Sequence, residues 1–188
     1  TSTIMEPTLY FERRKQMATI DLIVLGMLKK EPLSAYDIQK LVECRNISRW
    51  VKISTPSIYK KVIQLEEKGY ITSVTVKEGK MPEKAVYSLT EAGEKEFESL
   101  MLGISTQPVN IFLDFNAVIV NLHSLSPDKQ QQCLTDIENN VKALKRYLEN
   151  NISLKENAPE IPETGIAVLQ QQFILAQAIE TWISSLKR

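Results

Sequence analysis

Apolar residues in the first quarter of the chain recur at the spacing of an α-helix. From residue 17 onward, one face of this predicted helix consists of Ile20, Val24, Met27 and Leu28. Pro32 ends the helix, because a proline disfavours helical geometry in the residue before it. A second, shorter helix runs to about Cys44, and the pair Ser34 and Asp37, three positions apart, predicts a capping box at its start.

A third helix is indicated by its start, its apolar face and its end. Thr55 is the expected N-cap, and Pro56 occupies the first helical position, where a missing N–H is tolerated. The apolar face consists of Ile58, Val62 and Leu65. Gly69 ends the helix, since glycine readily adopts the left-handed conformation that follows many helices.

Beyond the third helix the apolar pattern changes to the period of two that is typical of strands. Residues 71–77 and 85–89 are rich in β-branched side chains and predict the two strands of a hairpin. Residues 78–83 form the turn between them. Thr90 then caps a fourth helix, which runs to about Leu102.

The second half of the chain is predicted to be helical throughout. After a hinge at residues 103–108, apolar residues on several sides predict a helix over 109–124. Ser126 begins the next helix. Its apolar seam has a short heptad-like spacing and consists of Leu134, Ile137, Val141, Leu144 and Leu148. A last helix runs from about Thr164 to Leu186, and its apolar residues include Phe173, Ile179 and Ile183.

This order of elements predicts a mainly α fold with a small β-hairpin. A winged helix-turn-helix domain over residues 1–103 is followed by an all-helical domain over residues 104–188. Charge supports this division, although the 188-residue chain has no net charge. Residues 29–84 hold 12 basic against 7 acidic side chains, whereas residues 101–188 hold 7 against 9. A basic module is therefore joined to a mildly acidic one.

The sequence argues against several other classes of protein. Its longest apolar run, residues 22–28, is far shorter than the roughly 18 residues of a membrane-spanning helix, so no membrane partner is expected. Two cysteines and one histidine are too few for a structural zinc site. The sequence also has no glycine-rich phosphate loop and no nucleophile–base constellation. We therefore expect a cytoplasmic protein that is not an enzyme and that holds no cofactor or metal.

A winged helix-turn-helix binds DNA by fitting one helix into the major groove, while its basic wing reaches the neighbouring backbone. The candidate side chains on the third helix are hydrogen-bonding or basic: Thr55, Ser57, Tyr59, Lys60, Lys61 and Gln64. The wing adds Lys77, Lys80 and Lys84. Hydroxyl, amide and ammonium groups are the ones that contact phosphates. Lysines opposite an apolar stripe also form ordinary solvated faces, and some winged helices bind protein, so a protein–protein adaptor is the alternative function.

Four segments carry a resemblance to a known family. They read IVLGML running into PLSAYDI at residues 23–38, Trp50 followed by SIYKKVIQLEEKGYI at 57–71, GKMPEK at 79–84, and YSLTEAG at 87–93. In this order they are similar to the DNA-binding domain of the PadR-like transcriptional regulators, the phenolic-acid repressor family. The resemblance is specific over residues 20–102.

The resemblance implies which side chains lie at the DNA surface: Tyr36, Ser57, Tyr59, Lys60 and the wing lysines. The chain departs from the family pattern at Ala35 and Pro56, which replace glycines. It also has Met81 and Glu83 in the wing, where the family often has basic residues. Since Glu83 has the same sign of charge as phosphate, the wing is expected to hold DNA more weakly or in a shifted register.

The helical domain needs a partner for its apolar seam and its last helix. The helices either close on each other within one chain or share a core between two chains, and periodicity does not separate these arrangements. A dimer matches two DNA half-sites about one helical turn apart, and the resemblance to larger PadR-like proteins implies dimerisation through this domain. The candidate dimerisation residues are Leu134, Ile137, Val141, Leu144, Leu148, Phe173, Ile179 and Ile183.

Some members of the family respond to small aromatic or amphipathic ligands. Trp50, Phe112, Phe115 and Trp182 are candidates for the lining of such an effector pocket, and ordinary core packing is the alternative. The leading hypothesis is a homodimeric transcriptional regulator, a repressor, that binds double-stranded DNA at a pseudo-palindromic operator and is released by a small effector.

Overall fold

The computed structural model describes residues 7–51, 57–77, 83–156, 158 and 161–187, and it describes only the backbone of residues 7–17 and 57. The chain divides into two compact units, Thr1–Val109 and Asn110–Arg188. The division lies six residues beyond the boundary that the sequence predicts.

The first unit is a winged helix-turn-helix, as predicted. Its described helices are α1 (Pro7–Leu28), α2 (Ala35–Cys44), α3 (Ser57–Glu67) and α4 (Glu91–Ser105). Its described strands are β1 (Leu33–Ser34), β2 (Ile71–Val76) and β3 (Lys84–Leu89). The strands form an antiparallel sheet in the order β1-β3-β2. The β2–β3 hairpin is therefore the wing, and β1 adds a short strand that the sequence pattern does not indicate.

The local signals of the sequence act as expected at the start of α2. The hydroxyl of Ser34 accepts a hydrogen bond from the backbone N–H of Asp37, and the Asp37 carboxylate accepts one from the Ser34 backbone. This capping box is confirmed. In contrast, Ile47–Arg49 forms a short 3₁₀ turn where the sequence indicates an irregular connection. The segment before residue 17 extends α1 rather than standing apart from it.

The core of the first unit is apolar and continuous. The predicted inner faces of α1 and α3 are both buried, with Val24, Ile58 and Leu65 fully excluded from solvent. Helix α2 adds Ile38 and strand β2 adds Ile71, and Phe97 of α4 packs against this core. The helices of the first unit thus close on its sheet.

The segment around Thr90 shows why its motif has this form. The Thr90 hydroxyl accepts from the N–H of Gly93 and donates to the carbonyl of Gly69, which links the start of α4 to the end of α3. Gly69 has a φ of +74°, a conformation that L side chains rarely adopt. A Cβ at Gly93 would collide with the carbonyl of Tyr70. Both glycines are therefore required by backbone geometry.

The second unit consists of two long helices and a short irregular segment. Its described elements are α5 (Asn116–Val120), a 3₁₀ turn at Leu122–Ser124, α6 (Pro127–Lys155) and α7 (Glu163–Leu186). The helix predicted over residues 109–124 is wrong, because only five residues of it are α-helical. An apolar segment without a polar face has no amphipathic period to hold it as a helix, and Phe112 is 81% exposed.

The predicted seam of α6 packs on α7 of the same chain. Leu134, Val141 and Leu148 are buried, as is Ile183 on α7. Polar contacts join the same two helices in antiparallel order. The Lys145 ammonium donates to Gln177 and Glu180, and Glu138 accepts from Ser184 and Lys187. The seam is therefore intrachain packing, which corrects the assignment of its buried members to a dimer contact.

None of the helices within the described ranges has the length and apolar character needed to cross a membrane.

Candidate nucleic-acid interface

The outward face of α3 carries the residues that the sequence places at DNA. Tyr59 and Lys60 are exposed, and Gln64 is half-buried. They lie opposite the buried stripe of Ile58, Val62 and Leu65. The helix therefore presents a phenol, an ammonium and an amide on one face. Thr55 and the side chain of Ser57 lie outside the described part of the structure.

Lys61 does not belong to this face, which corrects the sequence prediction. Only 4% of it is exposed. Its Nζ lies 2.6 Å from Oδ1 of Asp21 on α1, which is also buried. The ammonium of Lys68 lies 3.9 Å from the other oxygen of that carboxylate. Lys61 therefore positions α3 on α1 and is not available to phosphates.

The sequence contained a signal for this burial. Lys61 follows Ile58 by three positions and precedes Leu65 by four, so all three share one helical face. A buried ammonium is tolerated only with a partner of opposite charge. Asp21 adjoins the buried Ile20 and supplies that partner. Because the sequence analysis placed Lys61 at the surface with the other lysines, it missed this ion pair.

The start of α2 presents Tyr36 as predicted. Tyr36 is 56% exposed, and the Lys40 ammonium lies 5.4 Å from the centre of its ring. The Ser34 hydroxyl holds the pKa of Asp37 below its usual value, so this carboxylate stays charged and keeps the helix start in place. A phenol and an ammonium are thus available at a second helix of the module.

The wing is tied to the end of α3. The carboxylate of Glu66 on α3 accepts hydrogen bonds from both the N–H and the hydroxyl of Ser73 on β2. The sequence analysis missed this link, since it lies between residues on different elements. It fixes where the wing begins relative to α3.

The described lysines of the wing are exposed. Lys84 begins β3, and Lys77 follows β2. The Lys77 ammonium lies 3.9 Å from the carboxylate of Glu83, so part of the positive charge is offset at this point. Such an exposed pair is worth little in free energy and can open when a phosphate approaches. Lys80 and Met81 lie outside the described residues.

Sequence reasoning also missed two exposed apolar side chains on the same elements. Ile63 on α3 is 53% exposed, and Val74 on β2 is exposed as well. Ile63 lies four positions after Tyr59 and four before Glu67, so the three side chains share one helical face. This spacing was the signal for an exposed Ile63.

The second unit contains an apolar groove of about 490 Å³. Its lining includes Leu144 of α6, Trp182 of α7 and the amide side chains of Asn116 and Gln172. The ring of Trp182 stacks on Phe115, with 6.2 Å between the ring centres. The groove is large enough for a small organic molecule.

The four aromatic residues predicted to share a pocket are only partly brought together. Trp182 lines the groove and Phe115 stacks on it. Phe112 is exposed and is not part of the lining, and Trp50 belongs to the first unit. Most of the lining comes from α7 and is aliphatic, as at Leu175 and Ile179, with Leu144 as the contribution of α6. The sequence analysis named only aromatic side chains.

Three helices, a two-stranded wing and an exposed face of hydroxyl and ammonium groups on the third helix define a winged helix-turn-helix protein of the DNA-binding class. Residues 24–99 match the model of the transcriptional regulator PadR-like family. The resemblance seen in the sequence is confirmed, since this domain is similar to that of the PadR-like family.

Individual relatives agree with this assignment. The negative transcriptional regulator PadR of Bacillus subtilis strain 168 is 30% identical over 93 residues. That match spans half of this chain and half of the relative's length. The crystal structure of B. subtilis PadR in complex with operator DNA is 25% identical, with a TM-score of 0.76 over 90% of this chain and 97% of that one.

A second structure of the same relative holds a small molecule. Bacillus subtilis PadR in complex with p-coumaric acid is 22% identical, with a TM-score of 0.75 over 91% of this chain and 94% of that one. At this level of identity the likeness concerns the fold alone.

Proposed function

We propose that the chain is a cytoplasmic transcriptional repressor that binds a pseudo-palindromic operator as a homodimer. The observation that carries the proposal is the exposed face of α3, where Tyr59 and Lys60 stand beside the basic wing. A similar protein, B. subtilis PadR, is solved with operator DNA. Because the chain as a whole has no net charge, this local cluster supplies the attraction to the DNA backbone.

The binding mode follows from the position of each group. Helix α3 enters the major groove, and Lys60 contacts a phosphate at the groove edge. Lys77 and Lys84 contact the backbone beside the wing. Tyr36 donates its hydroxyl to a phosphate from the start of α2. Phosphate contacts of this kind orient the protein on the duplex, and base contacts on α3 select the sequence.

The test is fluorescence-anisotropy binding to the DNA upstream of the chain's own gene, against a scrambled duplex, at two salt concentrations. We expect preferential binding that weakens steeply with salt and that Lys60→Ala reduces for both duplexes. Lys95→Ala is the matched control, since Lys95 is an exposed lysine on α4. Equal, weak, salt-insensitive binding to both duplexes would reject the repressor and favour the adaptor.

The homodimer is supported by the apolar surface of the second unit. Within its described part, eleven large apolar side chains are exposed: Ile111, Phe112, Val118, Val120, Leu125, Leu144, Leu154, Ile174, Leu175, Trp182 and Leu186. A monomeric protein rarely exposes so much apolar surface in one region. A second copy of the chain covers the part of this surface that lies outside the groove, and it brings two α3 helices to one operator.

The groove beside Trp182 is the proposed effector site. Its lining offers an apolar wall and the two amides of Asn116 and Gln172, with no lysine, arginine or histidine. An effector with an aromatic body and an uncharged hydrogen-bonding group fits this lining better than a carboxylate. The dimer has two arrangements, and in one of them the spacing of the two α3 helices does not match successive major grooves. An effector that binds this arrangement more tightly releases the DNA.

This site has its own test. In the Trp50→Phe variant, Trp182 is the remaining tryptophan and reports the groove by its fluorescence. The probes are p-coumaric acid, which is found in a structure of PadR, and its uncharged methyl ester. We expect the ester to quench Trp182 at lower concentration than the acid and to release bound DNA. If neither probe quenches Trp182, the groove is not the effector site.

A further inference from the structure

The exposed face of α3 includes one apolar side chain, Ile63. With about 100° of rotation per residue, the buried positions 58, 61, 62 and 65 average to one direction, and Ile63 points about 150° away from it. Its exposure of 53% agrees with that position. Lys60 lies at a similar angle on the other side of the outermost direction, and Glu67 lies between the two. Ile63 is therefore one of the side chains that α3 presents to whatever it binds.

The packing of the first unit does not account for an isoleucine at position 63. It is absent from the core of the first unit and from the apolar residues that pack against that core. An exposed isoleucine on a short helix is also a poorer helix former than a lysine or glutamate would be. Its neighbours on the outward face, Tyr59, Lys60 and Glu67, are polar or charged. The position is thus suited to an apolar target inside a polar groove.

The floor of the major groove presents such a target at thymine. The edges of the other three bases offer hydrogen-bonding groups there, whereas thymine adds its C5-methyl group. We propose that Ile63 is a specificity-determining residue that contacts a thymine methyl in each operator half-site. This inference rests on the proposed binding of α3 in the major groove and adds one base preference to it.

The contact has a defined chemical consequence. Burying a methyl against the isoleucine removes apolar surface from water, which corresponds to about fourfold in affinity for each methyl. Replacing the thymine with deoxyuridine deletes that methyl and leaves the base-pairing edge and the groove acceptors unchanged. At the same position, 5-methylcytosine should bind more tightly than cytosine, because it restores the methyl.

The experiment uses the full chain and a duplex enriched by that chain from a random-sequence pool. Each thymine of the enriched duplex is replaced in turn by deoxyuridine, and affinity is measured by fluorescence anisotropy. For the unchanged protein we expect one thymine per half-site at which the substitution weakens binding about fourfold. Ile63→Ala should show no loss at that thymine and unchanged losses elsewhere. Leu102→Ala, an exposed apolar residue on α4, should behave like the unchanged protein.

The outcomes are distinguishable. If the two proteins respond identically to deoxyuridine at every position, Ile63 reads no methyl and the inference fails while DNA binding stands. If selection enriches no duplex, the proposed function fails and the inference fails with it. An unchanged unfolding midpoint for Ile63→Ala, followed by Trp50 fluorescence, excludes loss of folding as the cause of any difference.

Discussion

The two units solve the burial of apolar surface in different ways. The described part of the first unit buries fourteen apolar residues in one core, whereas that of the second buries six. Exposed large apolar side chains follow the opposite order, with eight in the first unit and eleven in the second. The first unit is therefore closed on itself, whereas the second leaves open the apolar surface that the proposed dimer would cover.

The two units also differ in their ion pairs. Asp21 and Lys61 of the first unit are both buried, and each is the partner of opposite charge that the other has in the core. The pairs of the second unit lie along the edge of the α6–α7 contact, as at Lys145 and Glu180. A buried pair specifies one position of α3, which is what recognition of a groove requires.

The largest effect is expected from breaking the buried pair. Lys61→Ala leaves Asp21 with only the more distant Lys68, and should lower the free energy of unfolding of the first unit by about 3–5 kcal/mol. Urea denaturation followed by Trp50 fluorescence in a Trp182→Phe background measures it. Lys60→Ala, one residue away but exposed, is the matched control and should change stability by less than about 0.5 kcal/mol.

A double variant sharpens that result. Replacing both partners, as in Asp21→Leu with Lys61→Met, removes the buried charges together and should recover most of the stability. If Lys61→Ala behaves like Lys60→Ala, then Lys61 is not buried in solution and could contact DNA after all.

The second prediction concerns the seam of α6. Leu148→Ala should destabilise the second unit by about 2–4 kcal/mol, because Leu148 is buried against its own chain. Trp182 fluorescence in a Trp50→Phe background reports this unit. Leu154→Ala, on the same helix but exposed, should cost less than about 0.5 kcal/mol. A large loss for Leu154 and none for Leu148 would show that the packing of α6 is reversed.

The third prediction concerns the open surface. Ile174→Asp places a charge on a 65% exposed residue of α7 that is not part of the groove lining. We expect association of two chains to weaken about tenfold or more, seen by light scattering across a dilution series, with little change in unfolding at high concentration. Asn150→Asp adds the same charge to an exposed position of α6. Equal masses for both variants at every concentration would place the interface elsewhere.

The smallest effect is a pH dependence. Hydrogen bonds from Lys187, then from Lys142 and Ser184, lower the pKa of Glu138 from 4.5 to about 2. Since the folded pKa lies below the unfolded one, the stabilisation is complete above about pH 4.5 and is lost as pH falls toward 2. Glu138→Gln should therefore lower the Tm of the second unit at pH 7, and the deficit should shrink by pH 3.

Glu149→Gln serves as the control for this profile, because Glu149 is an exposed glutamate on the same helix. It should leave the Tm of the second unit unchanged across the same range. A deficit of Glu138→Gln that stays constant from pH 7 to pH 3 would contradict the assigned ion pairs.

The first unit was largely predictable from sequence because its signals are local. The capping pair of Ser34 and Asp37, the helix stop at Gly69 and the cap at Thr90 each act within a few residues. The contact that the sequence did not predict joins residues far apart in the chain. Asp21 and Lys61 are forty positions apart, and only the packing of α1 on α3 brings them together.

The second unit was less predictable for the same reason. The seam of α6 was found, yet its spacing does not say whether α7 or another chain packs on it. Residues 109–124 are apolar on several sides, so their sequence held no period that could distinguish a helix from an exposed segment. The groove at Trp182 is formed by residues of several elements, so no single stretch of the sequence predicts it.

In the proposed complex, the second units of two chains associate through their open apolar surfaces. This association holds two closed first units on one duplex. Hydroxyl-radical footprinting on the enriched duplex tests it most directly. The account predicts two equal protected patches whose centres lie about one helical turn, 10–10.5 base pairs, or a multiple of it apart. It also predicts that both patches disappear together as Ile174→Asp protein is diluted. A single patch that persists on dilution would contradict the claim.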